Sequence, residues 1–260
     1  MNEALAALVR RRDPDRFLTA LFAPPAKRDA LLALYAFNHE LARAREVVSE
    51  LPLALIRLQW WREVVEGARR HHEVAAPLRA AIDAGDLHPA VLLAMIDARE
   101  IEAEPVIETQ ESWTAYLCSS AGGVAVSAAQ LLGAGDVEQY RPLGTAYGIA
   151  GVLRSVATHA KQGRCLLPAD VLSQHGLTPH EVVAEPRAER LRAVIRLLAR
   201  EGLVMLARPL PLRHPARAAA LPAVLARRDL RRAPDFPIYR GIGDRLAVML
   251  AGLAGGVTRR

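Results

Sequence analysis

Apolar residues recur every three or four positions along most of the chain. In residues 26–49, for example, Leu31, Leu34, Tyr35 and Leu41 follow one another at this spacing. The spacing places their side chains on one face of an α-helix. Runs that alternate with a period of two, as strands do, are hard to find. The pattern therefore predicts an all-α protein with little or no strand.

Prolines and capping residues divide this pattern into successive helices. Asp13 followed by Pro14 is typical of a helix start, and Pro24 and Pro25 end that first helix. We predict helices at residues 13–22, 26–49, 52–67, 74–84, 88–102, 112–132, 140–160, 169–175, 188–207, 216–232 and 241–253, with a proline-rich turn at 209–215. No long linker separates them, so we predict a single domain over residues 1–260.

Composition supports this interpretation. The chain has 260 residues, of which 52% are hydrophobic and only 5% aromatic. Alanine and leucine dominate, and both lose little free energy on entering a helix. A chain of this size and hydrophobicity is sufficient for one substantial core.

Charge and cysteine content limit the function classes. The net charge is +6 and the pI about 9.9, but the arginines are scattered and no basic face with interleaved aromatics is evident. Nucleic-acid binding is therefore not expected, whereas scattered arginine suits an anionic membrane surface. No apolar run approaches the ~20 residues of a membrane span. Two cysteines, Cys118 and Cys165, provide neither a disulfide framework nor zinc spacing and fit a reducing compartment.

Two helical faces carry polar residues that suggest a site. On the first, His39, Arg43, Glu46 and Glu50 stand at i, i+4, i+7 and i+11, so they share one face. The second helix, at 140–160, carries Gly148, Gly151, Arg154, Ser155 and His159, and Ser155 and His159 form an i, i+4 pair.

The first face resembles a motif of the squalene/phytoene synthases. In that family a Tyr-Ala-Phe lead-in, here Tyr35 to Phe37, is followed by Asp-Asp-x-x-Asp. The matching positions are Ala42, Arg43 and Glu46. One carboxylate has therefore become a methyl group and another a guanidinium.

Further segments resemble the same family in order and at family spacing, over almost the whole chain. Residues 151–159 align with Asn-Ile-Leu-Arg-Asp-x-x-x-Asp, so that Ser155 and His159 replace the two aspartates. The other matching segments are 116–125, Gly163-Arg164 with Leu167-Pro168, and Leu221-Pro222.

The resemblance implies an isoprenoid synthase-like helical bundle around a central cavity. Enzymes of this family hold magnesium on two aspartate-rich helices, and magnesium binds the substrate diphosphate. Magnesium requires hard oxygen ligands, and Ala42, Arg43, Ser155 and His159 supply no carboxylate. We therefore expect no metal site, no catalytic residues and no cofactor; Mg²⁺ is expected only if the protein is an active enzyme.

A ligand could still bind without metal. We predict an anion pocket for an isoprenoid or anionic lipid, because guanidinium groups bind phosphate directly. Its residues are Tyr35, His39, Arg43, Arg154, His159, Lys161 and Arg164. In the alternative, Arg43 pairs with Glu40 or Glu46 and the cavity has collapsed.

Residues 36–42, 48–50 and 57–61 resemble the subgroup of this family that includes a mitochondrial assembly factor of respiratory complex I. The resemblance implies a non-catalytic role at the membrane face, with complex I subunits or assembly intermediates as partners. Because no transit-type presequence precedes Asp13, we expect a bacterial protein, cytoplasmic or peripheral on the inner face of the cytoplasmic membrane. The alternatives are an active prenyl-diphosphate transferase with a rearranged metal site, and a lipid carrier or membrane-surface module.

Overall fold

The computed structural model describes residues 2–46, 51–207, 216–237 and 240–254, and this part of the chain contains helices and no strand. The all-α prediction is confirmed. The α-helices are α1 (Glu3–Arg12), α2 (Pro14–Ala20), α3 (Pro25–Arg43), α4 (Leu51–Glu66), α5 (Ala75–Asp83), α6 (Pro89–Arg99), α7 (Gln110–Ser119), α8 (Ala121–Leu131), α9 (Arg141–Arg154), α10 (Val156–Lys161), α11 (Ala169–Gln174), α12 (Pro179–Ala184), α13 (Glu189–Leu206), α14 (Arg217–Ala220), α15 (Pro222–Arg232) and α16 (Ile242–Ala254). Two 3-10 helices, Glu100–Ala103 and Glu138–Tyr140, complete the described secondary structure.

Helices α3, α8 and α9 form the centre of the bundle. Helix α3 is buried all round between Ala30 and Phe37, and α8 is buried along nearly its whole length. Helix α8 packs against both α3 and α9. A helix that is apolar on every side belongs in the interior, so α3 and α8 are core elements.

Small residues let α8 and α9 approach each other closely. A Cβ atom at Gly144 of α9 would clash with the backbone oxygen of Ala121 and lie 2.7 Å from the Cβ of Ala125. The small residues Ala121 and Ala125 of α8 thus permit close helix packing at this position.

Three predicted helices are each divided in two. The helix predicted at 112–132 breaks at Ser120, whose Oγ donates to the Tyr116 carbonyl oxygen at 2.6 Å and competes with the backbone ladder. The helix predicted at 140–160 breaks at Ser155, which lies between α9 and α10. The helix predicted at 216–232 breaks before Pro222, which has no backbone N–H.

Other predicted boundaries also moved. Helix α3 ends at Arg43 rather than at residue 49, and α1 and α12 were not predicted. The predicted turn at 209–215 lies outside the described residues, as do Glu50 and the motif at 48–50. Asp13 caps α2 as expected, because its side chain accepts a hydrogen bond from the Arg16 backbone N–H.

One core runs from α1 to α16, since buried apolar residues from Leu5 to Val248 form a continuous cluster. The last helix is only half covered by this core. Among the described residues, no helix is both long and apolar enough to cross a membrane.

Candidate functional site

A cavity of about 240 Å³ lies between the two helical regions that carry the sequence motifs. Helix α3 contributes His39 and Ala42 to its wall, and α9 contributes Gly148 and Gly151. Both helices pack on α8. The structure therefore brings the two predicted faces to one cavity.

The first motif is split by the end of α3. Ala42 and Glu46 line the cavity, although Glu46 lies three residues beyond the last residue of the helix, Arg43. Burial in the cavity wall raises the pKa of the Glu46 carboxyl above its ordinary value, against the opposing influence of Arg164. One carboxylate of this motif is thus kept at the site.

Arg43 does not line the cavity. Its Nη1 lies 3.6 Å from Oε1 of Glu40, and Nη2 of Arg57 approaches the other oxygen of Glu40 at 3.8 Å. The sequence left open a pairing of Arg43 with Glu40, and the structure has that pairing. The collapse of the cavity that was linked to it is not observed.

The second motif reaches the cavity through the break between α9 and α10. Ser155 and His159 both line it, and the backbone N–H of His159 donates to the carbonyl oxygen of Ser155 at 2.8 Å. Burial, assisted by the nearby positive charge of Arg164, lowers the pKa of His159 from 6.5 to about 4. The imidazole is therefore neutral at physiological pH.

The other predicted pocket residues lie outside the cavity lining. Nη1 of Arg154 lies 3.6 Å from the buried Asp229, and Nη2 of Arg164 lies 3.0 Å from Glu102. Lys161 is exposed at the surface. Of the residues predicted to bind an anion, only His39 and His159 line the cavity.

Tyr35 is buried next to Arg16. The Arg16 guanidinium lies 5.7 Å from the Tyr35 ring centre and 4.8 Å from that of Tyr147. Burial raises the pKa of Tyr35 to about 12, although Arg16 opposes the shift. Arg16 itself lines the cavity, and its Nη1 lies 3.1 Å from the carboxylate of Asp13.

A buried acidic centre at the cavity was missed by sequence reasoning. The carboxylate of Glu102 accepts hydrogen bonds from Arg99 Nη1 at 2.5 Å, from the Tyr116 hydroxyl at 2.7 Å and from Arg164 Nη2 at 3.0 Å. Burial alone would raise the pKa of Glu102, but Arg99, Tyr116 and Arg164 together hold it below its ordinary value.

The only sequence signal for this centre was weak. Arg99 and Glu102 are three residues apart, which is common on helix surfaces, and nothing in the spacing indicates burial or a link to Arg164. The contact between them depends on how distant segments fold together.

The residues present do not fit a magnesium cluster. Of the motif positions, only Glu46 is a carboxylate, and Glu102 is already bonded to two guanidinium groups. Within the described parts of the chain, no group of three His, Cys, Asp or Glu residues is arranged to hold a metal ion. Magnesium prefers an octahedral set of oxygen ligands, which these side chains do not supply.

Comparison with known proteins gives consistent results. Residues 9–235 match the family described as squalene/phytoene synthase. The chain is 30% identical over 227 residues to the NADH dehydrogenase (ubiquinone) complex I assembly factor 6 of Rattus norvegicus, covering 84% of this chain and 68% of that protein. It is 27% identical over 186 residues to a 15-cis-phytoene synthase of Pantoea ananas, covering 70% and 58%.

Solved structures show the same fold. A crystal structure of a dehydrosqualene synthase superposes with a TM-score of 0.79 at 18% identity, covering 97% of this chain and 95% of the other. At this identity the likeness concerns the fold alone. It agrees with the helical bundle that the sequence resemblance implied.

Proposed function

The chain belongs to the squalene/phytoene synthase family, and from that premise we propose that it is a non-catalytic member that assists assembly of respiratory NADH dehydrogenase. One observation carries the proposal: Ala42, Ser155 and His159 face the cavity where the family places metal-binding aspartates. Ionisation of an allylic diphosphate requires a positive charge next to the diphosphate, because negative charge develops on this leaving group. Glu46 is the one carboxylate left at these motif positions, and the described residues form no group of acids that could hold that charge as metal ions.

Similarity supports the same role. The matched assembly factor of Rattus norvegicus covers more of this chain than the matched phytoene synthase of Pantoea ananas does, 84% against 70%. The proposed partners are subunits or assembly intermediates of NADH dehydrogenase, and the proposed place of action is the cytoplasmic face of the membrane.

The proposal is tested by deleting the gene in its source organism. We expect NADH:quinone oxidoreductase activity of the membranes to fall while isoprenoid products stay unchanged. Complementation with the wild-type gene is the control for polar effects on neighbouring genes. Loss of hopanoid or carotenoid with intact NADH dehydrogenase would show instead that the protein is an enzyme of isoprenoid synthesis.

An active prenyl-diphosphate transferase is the second candidate. The observation that favours it is that the cavity stays open and its lining includes the carboxylates of Asp13, Glu46 and Glu102. The test is release of pyrophosphate from farnesyl or geranylgeranyl diphosphate by the purified protein, with and without magnesium. Magnesium-dependent release that disappears in a Glu46→Gln variant would favour the transferase; no release above the buffer blank favours the non-catalytic role.

Contact with an anionic membrane is part of the proposed role, and α16 is its proposed site. Its outer face exposes Ile242, Leu246, Leu250 and Leu253, with exposed fractions between 49% and 78%, and Arg245 lies beside them. Apolar residues flanked by arginine suit the interface of an anionic bilayer.

Sedimentation with vesicles that contain phosphatidylglycerol tests this site. We expect Leu250→Asp to reduce the bound fraction severalfold, because an aspartate opposes both burial and the negative surface. The matched control is Val204→Asp on α13, which is 70% exposed in the native protein and is expected to leave binding unchanged. Equal binding by both variants would remove α16 from the proposal.

A further inference from the structure

A second cavity, of about 250 Å³, lies between α3 and α4 and shares no described lining residue with the first. Its lining consists of Glu40 from α3, the α4 residues Ile56, Arg57, Trp60 and Trp61, and His72. We call it the outer cavity. The rings of Trp60, Trp61 and His72 pack edge to face with centroids 4.8 to 5.4 Å apart. This aromatic wall is therefore held in place by mutual contact.

Helix α4 extends the outer cavity with a row of apolar side chains. Leu53, Ile56 and Trp60 stand at i, i+3 and i+7 and therefore lie on one face of the helix. Leu53 and Ile56 are exposed, Ile56 by 62%, and Trp60 is half-buried. A single exposed apolar residue is ordinary, but a row that leads into an aromatic pocket indicates a contact surface.

The polar edge of the outer cavity carries more positive than negative charge. The buried carboxylate of Glu40 has two guanidinium neighbours, Arg43 at 3.6 Å and Arg57 at 3.8 Å. Both distances are longer than a hydrogen bond. Among the described residues, neither arginine forms a second ion pair. The Arg57 side chain is 40% exposed, so its terminal N–H groups are accessible to a ligand.

These features select the kind of occupant. Guanidinium groups bind carboxylates through paired hydrogen bonds, and a carboxylate beside Arg57 would balance the second positive charge. The volume lies below the roughly 300–1,000 Å³ of sites for drug-sized ligands, so the space suits one large apolar side chain. Anchor side chains that fill such pockets dominate the energetics of protein interfaces.

A membrane surface fits these features less well. Bilayers bury protruding apolar residues and attract scattered cations, and the outer face of α16 offers that arrangement. The outer cavity is concave instead, and its lining includes the acid Glu40, which an anionic bilayer repels. A protein helix can present an apolar side chain and a carboxylate one turn apart. That spacing matches the i, i+3 separation of Arg57 and Trp60 on α4.

We propose that the outer cavity and the apolar row of α4 dock a helix of a protein partner. The partner helix inserts a leucine or aromatic side chain between Ile56 and Trp60, and an aspartate or glutamate one turn away pairs with Arg57. The inference rests on the proposed function for the identity of the partner, a subunit or assembly intermediate of NADH dehydrogenase. It goes beyond that function because it assigns the docking surface and the chemistry that the surface recognises.

Site-specific cross-linking in cells tests the docking site. The full-length protein carries p-benzoylphenylalanine in place of Ile56, and the matched control carries it in place of the exposed Val204 of α13. On irradiation we expect an adduct at position 56 whose cross-linked peptide comes from another protein and has an aspartate or glutamate within one turn. Arg57→Gln in the same protein should lower the yield by about threefold or more, because a charge-assisted pair is lost.

Several outcomes of this experiment would overturn the proposal. The first is an adduct yield at position 56 no higher than at position 204. The second is an adduct only with another copy of this chain, only with phospholipid, or only with peptides that lack an acid. The third is a yield that Arg57→Gln leaves unchanged.

Complementation of the deletion strain separates this inference from the proposed function. Ile56→Asp and Arg57→Gln should lower the restored NADH:quinone oxidoreductase activity by roughly threefold or more, whereas Gln59→Glu, exposed on the same helix, should restore it fully. Circular dichroism of the purified variants confirms that they are folded. Full restoration by Ile56→Asp and Arg57→Gln would overturn the docking site and leave the proposed function intact. A deletion that leaves this activity unchanged would reject the proposed function alone, because the cross-link reports the docking site directly.

Discussion

Replacing Glu102 by glutamine should destabilise the protein strongly, although it changes only an oxygen to an amide nitrogen. Glu102 is only 6% exposed, and its carboxylate is the shared partner of Arg99 and Arg164. In Glu102→Gln, two buried guanidinium groups lose their compensating charge. Breaking a buried ion pair on one side costs about 3–5 kcal/mol.

For a chain of this size, that loss corresponds to a fall in melting temperature of about 6–20 °C. The assay is thermal unfolding followed by circular dichroism at pH 7. The matched control is Glu100→Gln, two residues away, where the carboxylate is about half exposed and binds Arg62 at 2.9 Å. Surface pairs of this kind contribute about 0–1 kcal/mol, so the control should melt near the wild type.

The pH dependence gives a second measure of the same carboxylate. Its pKa in the folded protein lies below the ordinary value of 4.5, so the stability it contributes is present above pH 4.5 and is lost as the pH falls through the folded pKa. The difference between wild type and Glu102→Gln should therefore narrow in acid. Even a loss of about 1 kcal/mol lowers the melting temperature of a domain of this size by about 2–4 °C. A melting temperature of Glu102→Gln within about 2 °C of the wild type at pH 7 would therefore refute the reasoning.

The remaining predictions concern packing and acid stability. Gly144→Ala should destabilise the protein by roughly 1–3 kcal/mol, because the added Cβ would clash with the backbone of Ala121. Gly151→Ala should be neutral or stabilising by up to about 1 kcal/mol, because a Cβ at Gly151 meets no atom within 4 Å. Urea unfolding measures the free energy of unfolding of both variants, and equal effects would contradict the packing account. Because the pKa of His159 is lowered to about 4, wild-type stability should fall as the pH drops below 6.5. Between pH 7 and pH 5 the contribution of His159 to this loss is about 2 kcal/mol. Denaturation at both pH values should therefore show the loss smaller by that amount in His159→Asn and unchanged in the exposed control His180→Asn.

Sequence reasoning predicted the fold class well because helix periodicity and helix caps are local. The spacing of Leu31, Leu34 and Leu41 predicted α3, and the Asp13-Pro14 pair predicted the start of α2. The interruptions at Ser120 and Ser155 were missed. A serine is tolerated inside a helix, and whether it interrupts the helix depends on the backbone group with which its hydroxyl forms a hydrogen bond.

The sequence by itself determined that Ala42, Ser155 and His159 stand at the positions that resemble the family's aspartates, because the identity of a side chain needs no coordinates. Only the tertiary structure decided which charges meet. Arg43, Arg154 and Arg164 looked like a free positive pocket in sequence, yet each lies beside a carboxylate, those of Glu40, Asp229 and Glu102 respectively. Electrostatic energy depends on distances between atoms that can be far apart in the chain, so these ion pairs exist only once the helices have packed.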